Sequence, residues 1–223
     1  MWSWLIDFFR EGGPVMVPLT FASVVAVAII IERSLALRHK TVIGPALAAA
    51  IERLRPGESS ARLAVLADND TSALGAVVRV ALNHLVWPRT ENVEAVQTRA
   101  RSETVKLERG LIALEIVIGI SPLLGLLGTI GGLKYLFKDI GQIAAEGGTS
   151  GMGIGISHAL NTTFFGLLVA IIALIGWSYF NRKIERMAVE MESMLSDLLS
   201  KLYRDSTDTA IYHRSDRRAA SVE

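Results

Sequence analysis

The chain has 223 residues, 51% of them hydrophobic, and a mean hydropathy of +0.39, which is too apolar for an ordinary soluble domain of this size. Its formal net charge of +1 supplies no broad field for nucleic acid. With no cysteine, disulfides, thiolate nucleophiles and zinc–thiolate centres are excluded, and no cofactor or metal site is expected.

In chain order, residues 1–13 form a short N-terminal segment expected outside the cytoplasm. Asp7, Arg10 and Glu11 do not make a basic leader and no small-residue cleavage site follows, so the apolar run at 14–35 reads as a retained first span. Residues 36–110 are Ala/Leu/Arg/Glu-rich runs broken by "RPGESS", "DNDTS" and "WPRTEN". These breaks predict three or four helices, the last continuing from about Glu91 straight into a second span at 111–137. The connection at 138–151, "KDIGQIAAEGGTSG", is short and Gly-rich and suits an outer loop. A third span at 152–180 runs on into a helical extension at 181–204. Along it Ile184, Met187, Met191, Met194, Leu195 and Leu198 make an amphipathic stripe expected to pack on another helix. Residues 205–223 are polar and expected to be disordered.

Basic residues follow the first span (Arg33, Arg38, Lys40), precede the second (Lys106, Arg109) and follow the third (Arg182, Lys183, Arg186). The excess of Lys and Arg at these ends places them in the cytoplasm. The expected topology is therefore multi-pass, with the N-terminus periplasmic and the C-terminus cytoplasmic.

The third span opens with "SHALNTTFFG", which brings Ser157, His158, Asn161, Thr162 and Thr163 into an apolar run. Ser157, His158, Asn161 and Thr162 share an arc of about 140° around the helix, with Thr163 beyond its edge. At 1.5 Å per residue, Thr163 lies about 16 Å from the outer end of its span and Thr129 about 12 Å from the outer end of the second, so the two reach similar depth. Packing alone accounts for single threonines, and Gly125, Gly128, Gly131 and Gly132 allow close helix approach. For the whole set with His158 and Asn161, a bundle interior or water path is the better reading.

Catalysis fits poorly. Ser157 and His158 are neighbours whose side chains diverge by about 100° on a helix, and no second set of partners exists. "GMGIGIS" lacks both the preceding strand and the Lys-Ser/Thr of a phosphate loop.

"SPLLGLLGTIGGL" (121–133), "GIGISHALNTTFFGLLVAIIAL" and "IIERSLALR" after the first span together resemble the signature spans of the MotA/TolQ/ExbB proton-channel family. The likeness is greater to its three-span ExbB/TolQ branch. The resemblance implies an all-α homopentamer in the bacterial inner membrane, enclosing a dimer of a single-span ExbD/TolR-like partner that carries a membrane Asp. It also implies a stator that uses proton flow to do mechanical work on the envelope, with Thr129 and Thr163 as its pore threonines. A TonB- or TolA-like transducer is a further partner, serving TonB-type import or Tol-type envelope maintenance.

The residues themselves call for such a partner, because no Asp lies inside the spans and hydroxyls do not titrate near neutral pH. Ser157, His158, Asn161, Thr162, Thr163 and Thr129 are thus the ion-path candidates, and Pro122 a helix kink. Protons are preferred over sodium, since beyond Glu32 and Glu115, each near the end of its span, the spans carry no carboxylate to neutralise Na⁺. A sodium-driven stator and a non-conducting scaffold remain the alternatives.

Two positions depart from the family pattern. His158 stands where that branch usually carries Glu, so it either relays protons or hydrogen-bonds across the ring. Glu115 stands where the family is apolar or small. It is either a second ionisable group or, preferably, a snorkelling boundary residue near Lys106 and Arg109.

Overall fold

The computed structural model describes residues 14–55, 58–146 and 150–219, with side chains except at 135–136, 138–155, 158 and 204–219. Among these residues all regular structure is helical: α1 (Met16–Ala36), α2 (His39–Val42), α3 (Pro45–Arg53), α4 (Ala61–Asn69), α5 (Ala73–Asn83), α6 (Arg89–Glu108), α7 (Leu111–Glu146) and α8 (Ser150–Ala219). Three regions are long and apolar enough to cross a bilayer: Met16–Ala36, Leu111–Lys134 and part of Ala159–Tyr203.

Two compact units divide the chain. One contains the residues through Leu35 with Arg109–Asn181; the other contains Ala36–Glu108 with the chain from Arg182 onward.

The first unit holds α1, α7 and the opening part of α8. It joins them through small residues, the kind of packing helices use where lipid removes any hydrophobic drive to associate. A Cβ on Gly176 would lie 2.9 Å from Ile30, so α1 seats a branched side chain directly on the α8 backbone. Leu111, Leu114, Val117, Ala159, Val169 and Ala173 are buried, whereas Phe21, Val24, Ile112, Ile116, Leu123, Phe164, Ile171 and Ile175 are exposed. Large apolar side chains facing outward in such number fit lipid or further helices rather than water.

The second unit is a small water-type core. Leu47 and Ile51 from α3, Leu63 and Ala67 from α4, and Leu74, Val77, Val78 and Ala81 from α5 are buried. So is the stripe Ile184, Met187, Met191, Leu195 and Leu198 on α8, with Met194 half-buried. The heptad-like spacing of that stripe thus serves helix packing. Ser72 caps α5 by accepting from the Gly75 N–H at 3.1 Å, and it accepts from the Gly44 N–H at 3.3 Å. At the end of the described side chains, the Tyr203 hydroxyl receives the Asn92 side-chain N–H at 2.9 Å and lies 3.3 Å from the His84 carbonyl and 3.1 Å from that of Trp87. Lys201 donates to the Ile51 and Glu52 carbonyls at 3.0 and 3.2 Å, closing the C-terminal end of α3.

Several boundaries differ from the sequence expectation. The region after α1 contains five helices, one of them a single turn, rather than three or four. The last does not run continuously into the next span, because Arg109 and Gly110 form a turn between α6 and α7. A Cβ at Gly110 would overlap the Arg33 guanidinium, so this turn is also where Arg33 crosses the backbone. Within the expected loop at 138–151, α7 extends to Glu146 and α8 starts at Ser150. Nothing from Lys138 to Glu146 breaks a helix except Gly141. The helix α8 is continuous to Ala219, and from Asp205 to Ala219 there is neither Gly nor Pro to end it. The N-terminal segment 1–13 lies outside the described residues.

Candidate ion path between α7 and α8

Glycines prepare the site. Gly125, Gly128 and Gly132 recur on one face of α7, opposite Ala159, Thr162 and Gly166 on α8. A Cβ at Gly125 would be 3.1 Å from the Thr163 Cα, one at Gly132 3.1 Å from the Ala159 Cβ, and one at Gly166 2.6 Å from the Ser121 carbonyl oxygen. At Gly128 it would overlap the Thr162 methyl. The two backbones therefore touch along the seam, and each substitution would force them apart. Gly131 meets nothing within 4 Å and takes no part.

Into this seam the two helices bring Thr129 and Thr163, whose hydroxyls hydrogen-bond to each other. Thr129 Oγ1 also lies 3.2 Å from the Gly125 carbonyl and 3.3 Å from the Ala159 carbonyl, and Thr163 Oγ1 lies 3.1 Å from the Gly125 carbonyl. Two hydroxyl protons thus face more acceptors than they can serve at once. When Thr163 donates to Gly125, Thr129 is free to donate to Thr163; when Thr129 turns to Ala159, Thr163 can donate back. Both threonines are only half-buried, so a third group approaching from the open side can accept from the pair or donate to it. A carboxylate would be held by the donated protons, and a carboxylic acid by the oxygen lone pairs.

Other predicted residues take different places. Thr162 is 1% exposed and sits on Gly128, a packing position at the same level. Asn161 is half-buried and Ser157 exposed, and neither joins the threonine network. The His158 side chain lies outside the described residues. Pro122 is half-buried inside α7 and Glu115 is exposed. Sequence reasoning passed over Ser121, which is fully buried and whose hydroxyl has no hydrogen-bond partner. Its position just before a helix-interior proline was the available signal.

The match to known proteins falls on these same helices. Residues 66–193 match the family described as the MotA/TolQ/ExbB proton channel family. The chain belongs to that family. It is 35% identical over 181 residues to the ExbB-like 1 biopolymer transport protein of Synechocystis sp., covering 77% of this chain and 68% of the relative. A second Synechocystis relative, ExbB-like 3, is 34% identical over 171 residues, covering 74% and 79%. The Vibrio cholerae biopolymer transport protein exbB1 is 26% identical over 191 residues, 84% of this chain and 83% of the relative. With three apolar helices of spanning length, this member of the family is a multi-pass membrane protein.

Proposed function

We propose that this chain is the ring-forming stator subunit of an ion-driven motor in the bacterial inner membrane. Five copies surround two copies of a single-span ExbD/TolR-like protein, with the N-terminus of each copy periplasmic and its C-terminus cytoplasmic. Proton flow past the partner's membrane Asp drives mechanical work on the envelope, delivered through a TonB- or TolA-like transducer for import or envelope maintenance.

The observation that carries this reading is the Thr129–Thr163 hydroxyl pair, set in a glycine-lined seam between two spanning helices and open on one side. The pair can hydrogen-bond a carboxyl group in either protonation state but cannot itself change charge at neutral pH. It therefore complements a titrating partner. An Asp that is neutral while facing lipid and ionised while facing the hydroxyls and water couples protonation to position, because the ionised form is strongly disfavoured away from donors. Family membership and the ExbB-type relatives support the same assignment.

The test is proton uptake into vesicles containing this chain co-expressed with its Asp-bearing partner, under imposed proton and sodium gradients. Flux is expected with protons and to require the partner. Thr163→Ala should abolish it while the oligomer stays assembled, and Thr163→Ser, which retains the hydroxyl, should keep it. Sodium-dependent flux would reassign the ion. Assembled complexes that pass neither ion would make the chain a scaffold.

A further inference from the structure

Four residues of α7, Thr129, Pro122, Ile118 and Glu115, form a line along the helix. Taking Thr129 as reference, Pro122 lies about 20° from it around the helix, Ile118 about 20° to the other side, and Glu115 about 40° away and about 21 Å along the axis. All four therefore occupy one face of one helix.

Each contributes something an ion needs. Pro122 has no N–H, so the Ile118 carbonyl one turn earlier loses its helical donor. Beside it the Ser121 hydroxyl is fully buried and unpartnered. A buried hydroxyl and a released carbonyl at the same break are the polar surroundings that hold a water molecule inside a protein. One turn beyond Glu115, Gly119 is exposed, with nothing within 4 Å of where a Cβ would stand. The Glu115 carboxylate is thus approachable from the side.

A snorkelling role fits these positions less well. Lys106, one of the two cations expected to hold Glu115, is engaged by Glu103 at 2.8 Å. Ionisable side chains within membrane helices usually face a bundle interior or a water path.

We infer that Glu115 is a proton-exchanging station at the Leu111 end of the path that passes Thr129 and Thr163, with the Pro122 break holding water between them. The inference rests on the ion-path reading above. A hydronium ion reaching Glu115 gives its proton to the carboxylate and leaves as water. The resulting carboxylic acid passes the same proton to water at the break, regenerating hydronium there and the carboxylate on Glu115, so the charge of the chain is unchanged over the cycle.

The experiment is proton uptake in the same co-expressed vesicles under an imposed pH gradient, comparing wild type, Glu115→Gln, Glu115→Asp and Thr163→Ala, with assembly verified by size-exclusion chromatography. Glu115→Gln should lower flux about tenfold or more, as loss of a proton-transfer group does, and Glu115→Asp should restore most of it. If Thr163→Ala abolishes flux while Glu115→Gln matches wild type, Glu115 is a boundary residue and this inference fails alone. If Glu115→Gln and Glu115→Asp are equally impaired, the side chain is structural and the inference fails too. Absence of flux in the wild-type complex overturns both readings.

Discussion

At the scale of single residues, the threonine pair depends on what is missing opposite it. Gly125 supplies a carbonyl to both hydroxyls only because it has no side chain to hold Thr163 away. Gly128 does the same for the Thr162 methyl. Gly128→Ala should therefore destabilise the assembled protein in detergent. Thr162→Ser, which deletes the colliding methyl, should recover part of the loss. A double-mutant cycle read by thermal unfolding should give a coupling of about 1 kcal/mol, and strict additivity would show that the seam opens elsewhere. Similar depths for Thr129 and Thr163 followed from counting inward from two span ends at a fixed rise per residue, so their meeting was legible in the sequence. Which face of α8 would meet α7 was not. Ser157 and Asn161 looked equivalent to Thr162 because hydroxyls and amides give no sign of which side of a helix finds a glycine opposite.

Helices as elements were marked by their apolar periods, and their ends by turn chemistry only where that chemistry was strong. The three apolar stretches correspond to α1, α7 and the first part of α8. The break at Gly110 was harder to read, because a lone glycine inside a helical pattern is tolerated unless something needs the space, and here Arg33 does. The amphipathic stripe on α8 predicted packing without naming the partner elements. The structure shows α8 bonded to the α3 terminus through Lys201 and to the α5–α6 connection through Tyr203. Tyr203→Phe removes one of the two acceptors of the buried Asn92 amide, leaving the Ala81 carbonyl, and should cost about 1–3 kcal/mol. Hydrogen exchange should rise selectively in residues 84–92, whereas unchanged exchange there would show that the hydroxyl contributes nothing to holding that connection.

For the whole molecule, the decisive fact is what one copy leaves uncovered. Ile112, Ile116, Leu123, Leu127 and Ile130 on α7 and Phe164, Leu168, Ile171 and Ile175 on α8 are all exposed in the single chain. Part of that surface suits lipid. The half-buried threonines beside it suit a protein neighbour, because three helices cannot enclose a partner helix on their own. In the proposed assembly, native mass spectrometry from detergent should give five copies of the 24.2 kDa chain with two copies of the partner. A stable monomer that still conducts would remove the ring from the mechanism. The number of copies is written nowhere in one chain's periodicity, since each helix records only its own buried face.

The hydroxyl pair has a further consequence. Its two arrangements are exchanged by rotating two C–O bonds, and neither contains a fixed charge that would mark one end of the path as upstream. Such an element is a conductor without a diode. Inverting the imposed gradient across wild-type vesicles should drive flux outward at a comparable rate, with any rectification arising in the partner or transducer. A pronounced one-way response from ring and partner alone, kept when the partner is exchanged for another Asp-bearing one, would place the asymmetry in this chain after all.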